Sequence, residues 1–178
     1  MGGRVSVDHS VVVTALTKGD DDMDYRVVGL SPAPFQPLFD LSDEELAARG
    51  AVRRIADEPH EFPCRVSLED AAIGEELLLL PFRHHDCRSP YQAAGPIYVR
   101  RNAREVYSAV NTIPEQQRRR LLSVRAYDAE GWMVGADVTP GDGLETLVRK
   151  LFENPVASYL HVHNARAGCY ACRIERTS

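Results

Sequence analysis

Short segments with the composition of β-strands make up most of this chain, and turns join them. Segments 121–128 and 132–138 flank Ala129-Glu130-Gly131, a glycine-bearing turn of the kind that closes a β-hairpin. A second predicted hairpin joins 156–164 to 169–176. Strands connected in this way run antiparallel, so the sequence predicts an α+β fold with a mainly antiparallel sheet. The other predicted strands are 25–30, 51–56, 76–82 and 96–100.

Three or four short helices are predicted between these strands. Ser42 and Glu45 have the spacing of a capping box, in which each residue binds the backbone of the other at a helix N-terminus. Gly50 follows at the position of a C-terminal stop. A single capped helical turn is predicted over 67–74.

Two further helices are predicted later in the chain. Asn102 and Glu105 repeat the capping-box spacing, which predicts a short helix that runs through Val110. The longest predicted helix is capped by Asp142, and its apolar residues recur at the spacing of one helix face. These apolar residues are Leu144, Leu147, Val148, Leu151 and Phe152.

The chain has the size and composition of one globular domain. It has 178 residues, of which 44% are hydrophobic and 26% charged, and this is enough to bury a core without disulfides. We predict a single α+β domain over 24–178. Residues 1–23 end in an acidic run and are predicted to be a loose N-terminal tail or an extra edge strand.

Charge and hydropathy exclude some classes of partner. The formal net charge of −5 argues against nucleic-acid binding, which needs a basic surface. No apolar run has the length of a transmembrane helix, so no membrane partner is expected and the expected location is the cytoplasm. In that compartment the four cysteines are expected to be reduced thiols or ligands rather than disulfides.

The second hairpin has the highest density of potentially reactive histidine and cysteine side chains in the chain. Alternation along a strand places His161 and His163 on one face. If the turn pairs His163 with Cys169, the thiol joins the histidine face, while Tyr170 and Cys172 point into the core. The three side chains on this face are candidate catalytic groups and candidate metal ligands. The alternative is that they only form hydrogen bonds in a polar groove.

The remaining cysteines do not complete a known motif. Cys169 and Cys172 have the spacing of a redox pair, but such pairs lie at helix N-termini and this one lies on a predicted strand. Cys64 and Cys87 are isolated, so a zinc ribbon is not expected. Cys172 is predicted to fill the core, and Cys64 is either a nucleophile or, as we expect, a buried inert thiol.

Three arginines are candidate contacts for an anion. Arg65, Arg100 and Arg125 lie within or beside apolar segments, and a buried arginine needs an acidic partner or a bound anion. A structural ion pair is the simplest expectation for each of them. Convergence of two or more would favour a pocket for an anionic small molecule.

A loop after the 76–82 strand is predicted to complete this pocket. It contains His84 and His85, one of which is expected to join the hairpin histidines. We assign His85, together with Tyr91, to the closing side of the pocket, and Asn164 to its lining.

Several motifs spread over residues 24–178 also occur together in one bacterial family. They are Pro63-Cys64-Arg65-Val66-Ser67-Leu68, Ser89-Pro90-Tyr91, Gly95-Pro96-Ile97, Val99-Arg100, Ser123-Val124-Arg125-Ala126-Tyr127, His161-Val162-His163-Asn164-Ala165, Gly168-Cys169-Tyr170 and Arg173. With them the chain resembles the family catalogued as domain of unknown function 1203. The resemblance implies one intact domain, a bacterial source and a start near Met23. It implies no activity, cofactor or catalytic residue, because that family is uncharacterised.

Three functions are compatible with these residues. The leading hypothesis is a small-molecule enzyme or binder of an anionic ligand, in which His161, His163 or Cys169 acts in catalysis and arginine stabilises negative charge. The first alternative is an interaction or accessory protein whose polar cluster is structural. The second is a protein that binds a transition metal through His161, His163 and Cys169. The sequence requires no cofactor and names no substrate.

Overall fold

The structure, a computed structural model, describes residues 23–177. Within that range the chain forms nine β-strands and three α-helices. The strands are β1 (Tyr25–Val28), β2 (Val52–Ile55), β3 (Glu76–His85), β4 (Ala93–Arg100), β5 (Ser108–Val110), β6 (Leu121–Tyr127), β7 (Met133–Pro140), β8 (Tyr159–Asn164) and β9 (Tyr170–Arg176). The helices are α1 (Asp43–Ala47), α2 (Glu115–Arg118) and α3 (Leu144–Phe152), and short 3₁₀ helices cover Gln36–Asp40 and Gly141–Gly143.

All nine strands lie in two antiparallel sheets. The larger sheet has the strand order β5-β1-β9-β8-β6-β7, and the smaller one has the order β2-β3-β4. Both predicted hairpins are present, as β6–β7 and β8–β9. The predicted α+β fold with a mainly antiparallel sheet is therefore confirmed.

The main core lies between α3 and one face of the larger sheet. Leu144 and Val148 of α3 are fully buried there against Val124 and Leu160 of the sheet. A second core lies where β3 and β4 pack with α1 and the chain before it, and it includes Leu46 and the strand residues Leu78 and Val99. The other face of the larger sheet is thereby left to meet the end of β3, where the candidate site lies.

Two predicted helical segments are wrong. The chain over 67–74 forms turns instead of a helical turn, with Leu68 at a φ of 51° and Ala71 N–H bonded to the Phe62 carbonyl at 3.0 Å. The segment after Asn102 leads into strand β5, which pairs with β1. Pairing at the sheet edge satisfies backbone groups that a short isolated helix would leave to water, so it outweighs the local capping signal.

The predicted cap of α3 is also wrong. Gly143 rather than Asp142 is the N-cap residue, and Asp142 lies inside the preceding 3₁₀ turn. A β-carbon at Gly141 would collide with the backbone carbonyl oxygens of Gln117 and Arg118. This close packing positions the 3₁₀ turn, and the turn shifts the start of the helix by one residue.

Within residues 23–177 no helix has the length and hydropathy to cross a bilayer. The predicted tail or edge strand over 1–23 lies, apart from Met23, outside the described residues.

Replacement of Ser42 with alanine is expected to lower the free energy of unfolding by about 1 kcal/mol. The Glu45 amide donates to Ser42 Oγ at 3.2 Å and the Ser42 amide donates to Glu45 Oε2 at 2.8 Å, and this capping box disappears with the hydroxyl. Urea unfolding measures the change. Ser42→Thr keeps the hydroxyl and serves as the control; an equal loss in both variants would contradict the role of the cap.

Candidate functional site

Strand β8 is buried on both of its faces. Leu160 and Val162 point into the core beneath α3. His161 and His163 point to the opposite side, toward β3, and are only 2% and 1% exposed. The period of two along the strand therefore places two imidazoles side by side in the space between the two sheets.

The third imidazole comes from the smaller sheet. His84 lies near the end of β3, where the pairing with β4 is irregular between Phe82 and His85. Its ring centroid is 5.1 Å from that of His163 and 6.0 Å from that of His161. One ring nitrogen of each of these three histidines lies within 4.8 Å of the other two. We call His84, His161 and His163 the histidine triad.

Each histidine of the triad has a buried nitrogen without a hydrogen-bond partner in the described structure. The atoms are Nδ1 of His84, Nδ1 of His161 and Nε2 of His163, and they are half of the six such side-chain atoms found within residues 23–177. His163 Nδ1 lies 3.1 Å from the Gly168 carbonyl oxygen. Because that oxygen can only accept, Nδ1 carries the proton and Nε2 keeps its lone pair.

The triad is electrically neutral near pH 7. Burial lowers the pKa of His84 and His163 to about 4 and the pKa of His161 to about 2. The positive charge of Arg125 lowers the pKa of His84 and His163 further, and that of Arg173 acts on His161. The neutral ring is the form that coordinates a metal ion, because it offers a free lone pair.

The predicted pairing of His163 with Cys169 is wrong. The two strands pair Val162 with Cys172 and His163 with Tyr170, which leaves one extra residue of β9 between these pairs. Such a β-bulge reverses the side-chain alternation beyond it. Cys172 lies in the core as predicted, but Tyr170 lies on the histidine face and Cys169 does not.

Tyr170 instead forms a wall of the triad. Its ring stacks on His84 with a centroid distance of 5.1 Å and an interplanar angle of 9°. It also meets the edges of His161 at 5.2 Å and of His163 at 5.9 Å. Rigid aromatic contacts on all three rings hold the imidazoles in place, so the triad is preorganised rather than loose.

A family model described as "Protein of unknown function (DUF1203)" matches residues 61–176. The chain belongs to this family. No curated protein and no solved structure matches the chain. The matched segment contains β3 to β9 and therefore the whole histidine triad.

Within the family segment, His85 has a supporting role beside the triad. Its Nδ1 lies 2.7 Å from the Tyr91 carbonyl oxygen, and its Nε2 lies 2.9 Å from the Tyr159 hydroxyl. The carbonyl can only accept, so Nδ1 donates and Nε2 accepts from the hydroxyl. Both nitrogens are occupied, and His85 has no lone pair left for a metal. Its own ring packs 5.1 Å from that of His161.

Arg65, Asn164 and Cys169 meet in a different place, beside the turn of the β8–β9 hairpin. Arg65 is 1% exposed, and its Nη2 donates to Cys169 Sγ at 3.2 Å. Asn164 Nδ2 donates to the same sulfur at 3.3 Å. The residues predicted to line one pocket thus lie in two places, the triad and this second cluster.

The other predicted site residues are dispersed. Arg100 forms the structural ion pair that is the simplest expectation for it, at 2.8 Å from Glu75 Oε1 and 2.6 Å from Glu69 Oε2. Arg125 stands opposite His161 in the β6–β8 pairing, so it shares the sheet face with the triad. Tyr91 is 40% exposed and contacts Tyr127 rather than the arginines. Its ring centroid lies 6.3 Å from that of Tyr127.

His84 joins the hairpin histidines, whereas the prediction from the sequence was that His85 does. The choice between them depends on the irregular pairing between Phe82 and His85, which changes the face to which each residue points. The sequence of β3 gives no local signal for that irregularity, because residues 82–85 contain no glycine.

Proposed function

We propose that this protein binds one divalent transition-metal ion, with Zn²⁺ as the expected ion, through His84, His161 and His163. The observation that carries the proposal is the convergence of one ring nitrogen from each of three histidines, each of which also has a buried ring nitrogen without a hydrogen-bond partner. An unpaired polar atom in a protein interior costs about 1–3 kcal/mol. Three imidazoles that bring ring nitrogens within 4.8 Å of one another, and that each have an unpaired nitrogen, are most simply explained by an ion that binds their lone pairs.

The dimensions of the triad are compatible with this role. Zinc with nitrogen ligands at about 2.1 Å in a tetrahedron holds those nitrogens about 3.4 Å apart. The upper limit of 4.8 Å in the triad requires only small rotations of the rings. His161 and His163 on one strand and His84 on a facing strand can supply three ligands to one ion.

The ligand set selects the kind of ion. Three imidazoles without a thiolate or a carboxylate suit Zn²⁺, Cu²⁺, Ni²⁺ and Fe²⁺ rather than Mg²⁺ or Ca²⁺, which prefer oxygen. Tetrahedral zinc with three protein ligands keeps a fourth position for water or a substrate.

We infer an enzymatic role from the fourth position of a three-ligand zinc site. Neutral ligands leave the full charge on the ion, which lowers the pKa of a bound water and polarises a bound carbonyl group. Arg125 adds a second positive charge near His84 and His163, and this charge favours an anion at the open position. We therefore infer metal-assisted hydrolysis or hydration, in a protein that acts on an anionic small molecule.

The structural alternative makes the opposite prediction for metal binding. In that alternative the three rings only fill the space between the sheets, where tyrosines already surround them. Zinc would then add no stability to the folded protein.

Titration of the full chain with Zn²⁺ after treatment with a chelator tests the proposal. We expect one ion per chain, and with Co²⁺ the visible absorption of a tetrahedral site. At 100 times its Kd, zinc should stabilise the fold by about 2.7 kcal/mol. His163→Ala should abolish zinc binding, the cobalt absorption and the stabilisation, while the exposed His60→Ala should keep all three. Absence of stoichiometric binding by the unmodified protein, or equal binding by His163→Ala, would reject the proposal.

A further inference from the structure

A cavity lined by several arginines lies apart from the histidine triad. It has a volume of about 630 Å³ and is enclosed by the β8–β9 turn, the end of α2, the chain around Pro63 and one face of the smaller sheet. Sites for small molecules typically have volumes of about 300–1,000 Å³. None of the three triad histidines lines it. We call it the arginine cavity after four of its lining residues, Arg65, Arg119, Arg120 and Arg166.

The charges that line the arginine cavity are not balanced. Glu61 is the one acidic residue among the lining residues. Arg119 is paired with Glu115 at 3.0 Å, and Arg120 with Asp70 at 2.7 Å. Within residues 23–177, neither Arg65 nor Arg166 forms an ion pair with a carboxylate.

Arg65 is the least expected of these charges, because it is 1% exposed. Its Nε and Nη1 donate to the backbone carbonyls of Tyr170 and Pro63, and its Nη2 donates to Cys169 Sγ. Burial lowers the pKa of this guanidinium, since the charge is held away from water. A desolvated cation that is not paired with a carboxylate is stabilised most by an anion that enters beside it.

Part of the cavity lining is apolar. It includes Leu79, Pro96, Tyr98 and Leu121. A ligand that fits both the basic and the apolar lining has a charged group and a hydrophobic body. The planar guanidinium group binds carboxylate and phosphate oxygens in a bidentate manner, so both anions match the basic lining.

We propose that the arginine cavity binds a small organic oxyanion, a carboxylate or a phosphate monoester with an apolar body. Its charged group lies against Arg65 and Arg166, beside Cys169, and its body lies against Tyr98. This site does not depend on a metal in the triad.

Calorimetry on the full, zinc-depleted chain tests the proposal with four probes: phenyl phosphate, benzoate, inorganic phosphate and the neutral analogue benzamide. We expect saturable binding of at least one aromatic anion, weaker binding of inorganic phosphate, and none of benzamide. Binding of phenyl phosphate alone assigns the phosphate class, and binding of benzoate alone assigns the carboxylate class. No saturable binding of either aromatic anion overturns the proposal, as does benzamide binding of equal strength.

Variants locate the bound anion. Arg166→Ala should weaken binding about tenfold, since a charge-assisted contact is lost. It is the preferred variant because Arg166 is exposed, whereas loss of the buried Arg65 would endanger folding. The exposed Arg104→Ala is the matched control and should bind the anion normally. Unchanged affinity in Arg166→Ala, or an equal loss in Arg104→Ala, would overturn the assignment to this cavity.

Alkylation provides an independent readout. Cys169 lines the cavity and Cys87 does not, although both are partly exposed. The anion that binds best should slow the reaction of iodoacetamide with Cys169 at least about threefold by covering the sulfur, and leave Cys87 unaffected. Equal protection of both thiols, or of neither, would contradict binding beside Cys169.

Discussion

Alanine in place of His84 is expected to weaken zinc binding at least about 100-fold, whereas glutamine in place of His85 should leave zinc affinity within about threefold. Loss of a supporting contact around a metal already costs about 10–100-fold, and loss of a direct ligand costs more. His84 has a buried, unpaired Nδ1, while both nitrogens of His85 are bound to Tyr91 and Tyr159.

The two variants are matched because the residues are adjacent. Glutamine at position 85 can still donate to the Tyr91 carbonyl and accept from the Tyr159 hydroxyl, so the local fold should persist. Zinc affinity is measured by competition with a chromophoric chelator, and melting curves without metal report folding. If the His85 variant loses zinc and the His84 variant keeps it, the assignment of ligands is wrong.

Leu160→Ala is expected to lower the free energy of unfolding by about 3 kcal/mol and the Tm by roughly 10 °C. Leu160 is fully buried on β8, with Ala126 and Ile174 directly opposite on the two neighbouring strands. Its removal leaves a cavity in the core beneath α3, on the opposite face of the strand from the triad.

Leu121→Ala is the control for this replacement. Leu121 begins the adjacent strand β6 and is 43% exposed, so its truncation should cost less than about 1 kcal/mol. Thermal and urea unfolding measure both variants. Equal destabilisation would contradict the burial pattern of β8 on which the position of His161 and His163 depends.

Much of the architecture follows from local periodicity. The β6–β7 and β8–β9 hairpins form where glycine-bearing turns separate strand-like segments. The apolar stripe of α3 is the face that packs on the sheet. Both patterns repeat over several residues, so many small preferences agree and tertiary contacts reinforce them.

Single local signals were less reliable. The capping box at Asn102 predicts a helix, yet the chain there leads into β5, because β1 offers a partner for its backbone. The capping box at Ser42 is present as predicted. The same two-residue signal thus had opposite outcomes, since only the segment after Asn102 pairs with a strand.

The sequence by itself determined that His161 and His163 share one face of a strand, because alternation with a period of two is a property of the extended backbone. Only the tertiary structure decided which residues complete the site. The bulge in β9 brings Tyr170 to the histidines and leaves Cys169 beside Arg65, and the irregular end of β3 brings in His84. Bulges and the packing of one sheet on another depend on contacts between distant segments, and the spacing of residues along the chain does not encode them.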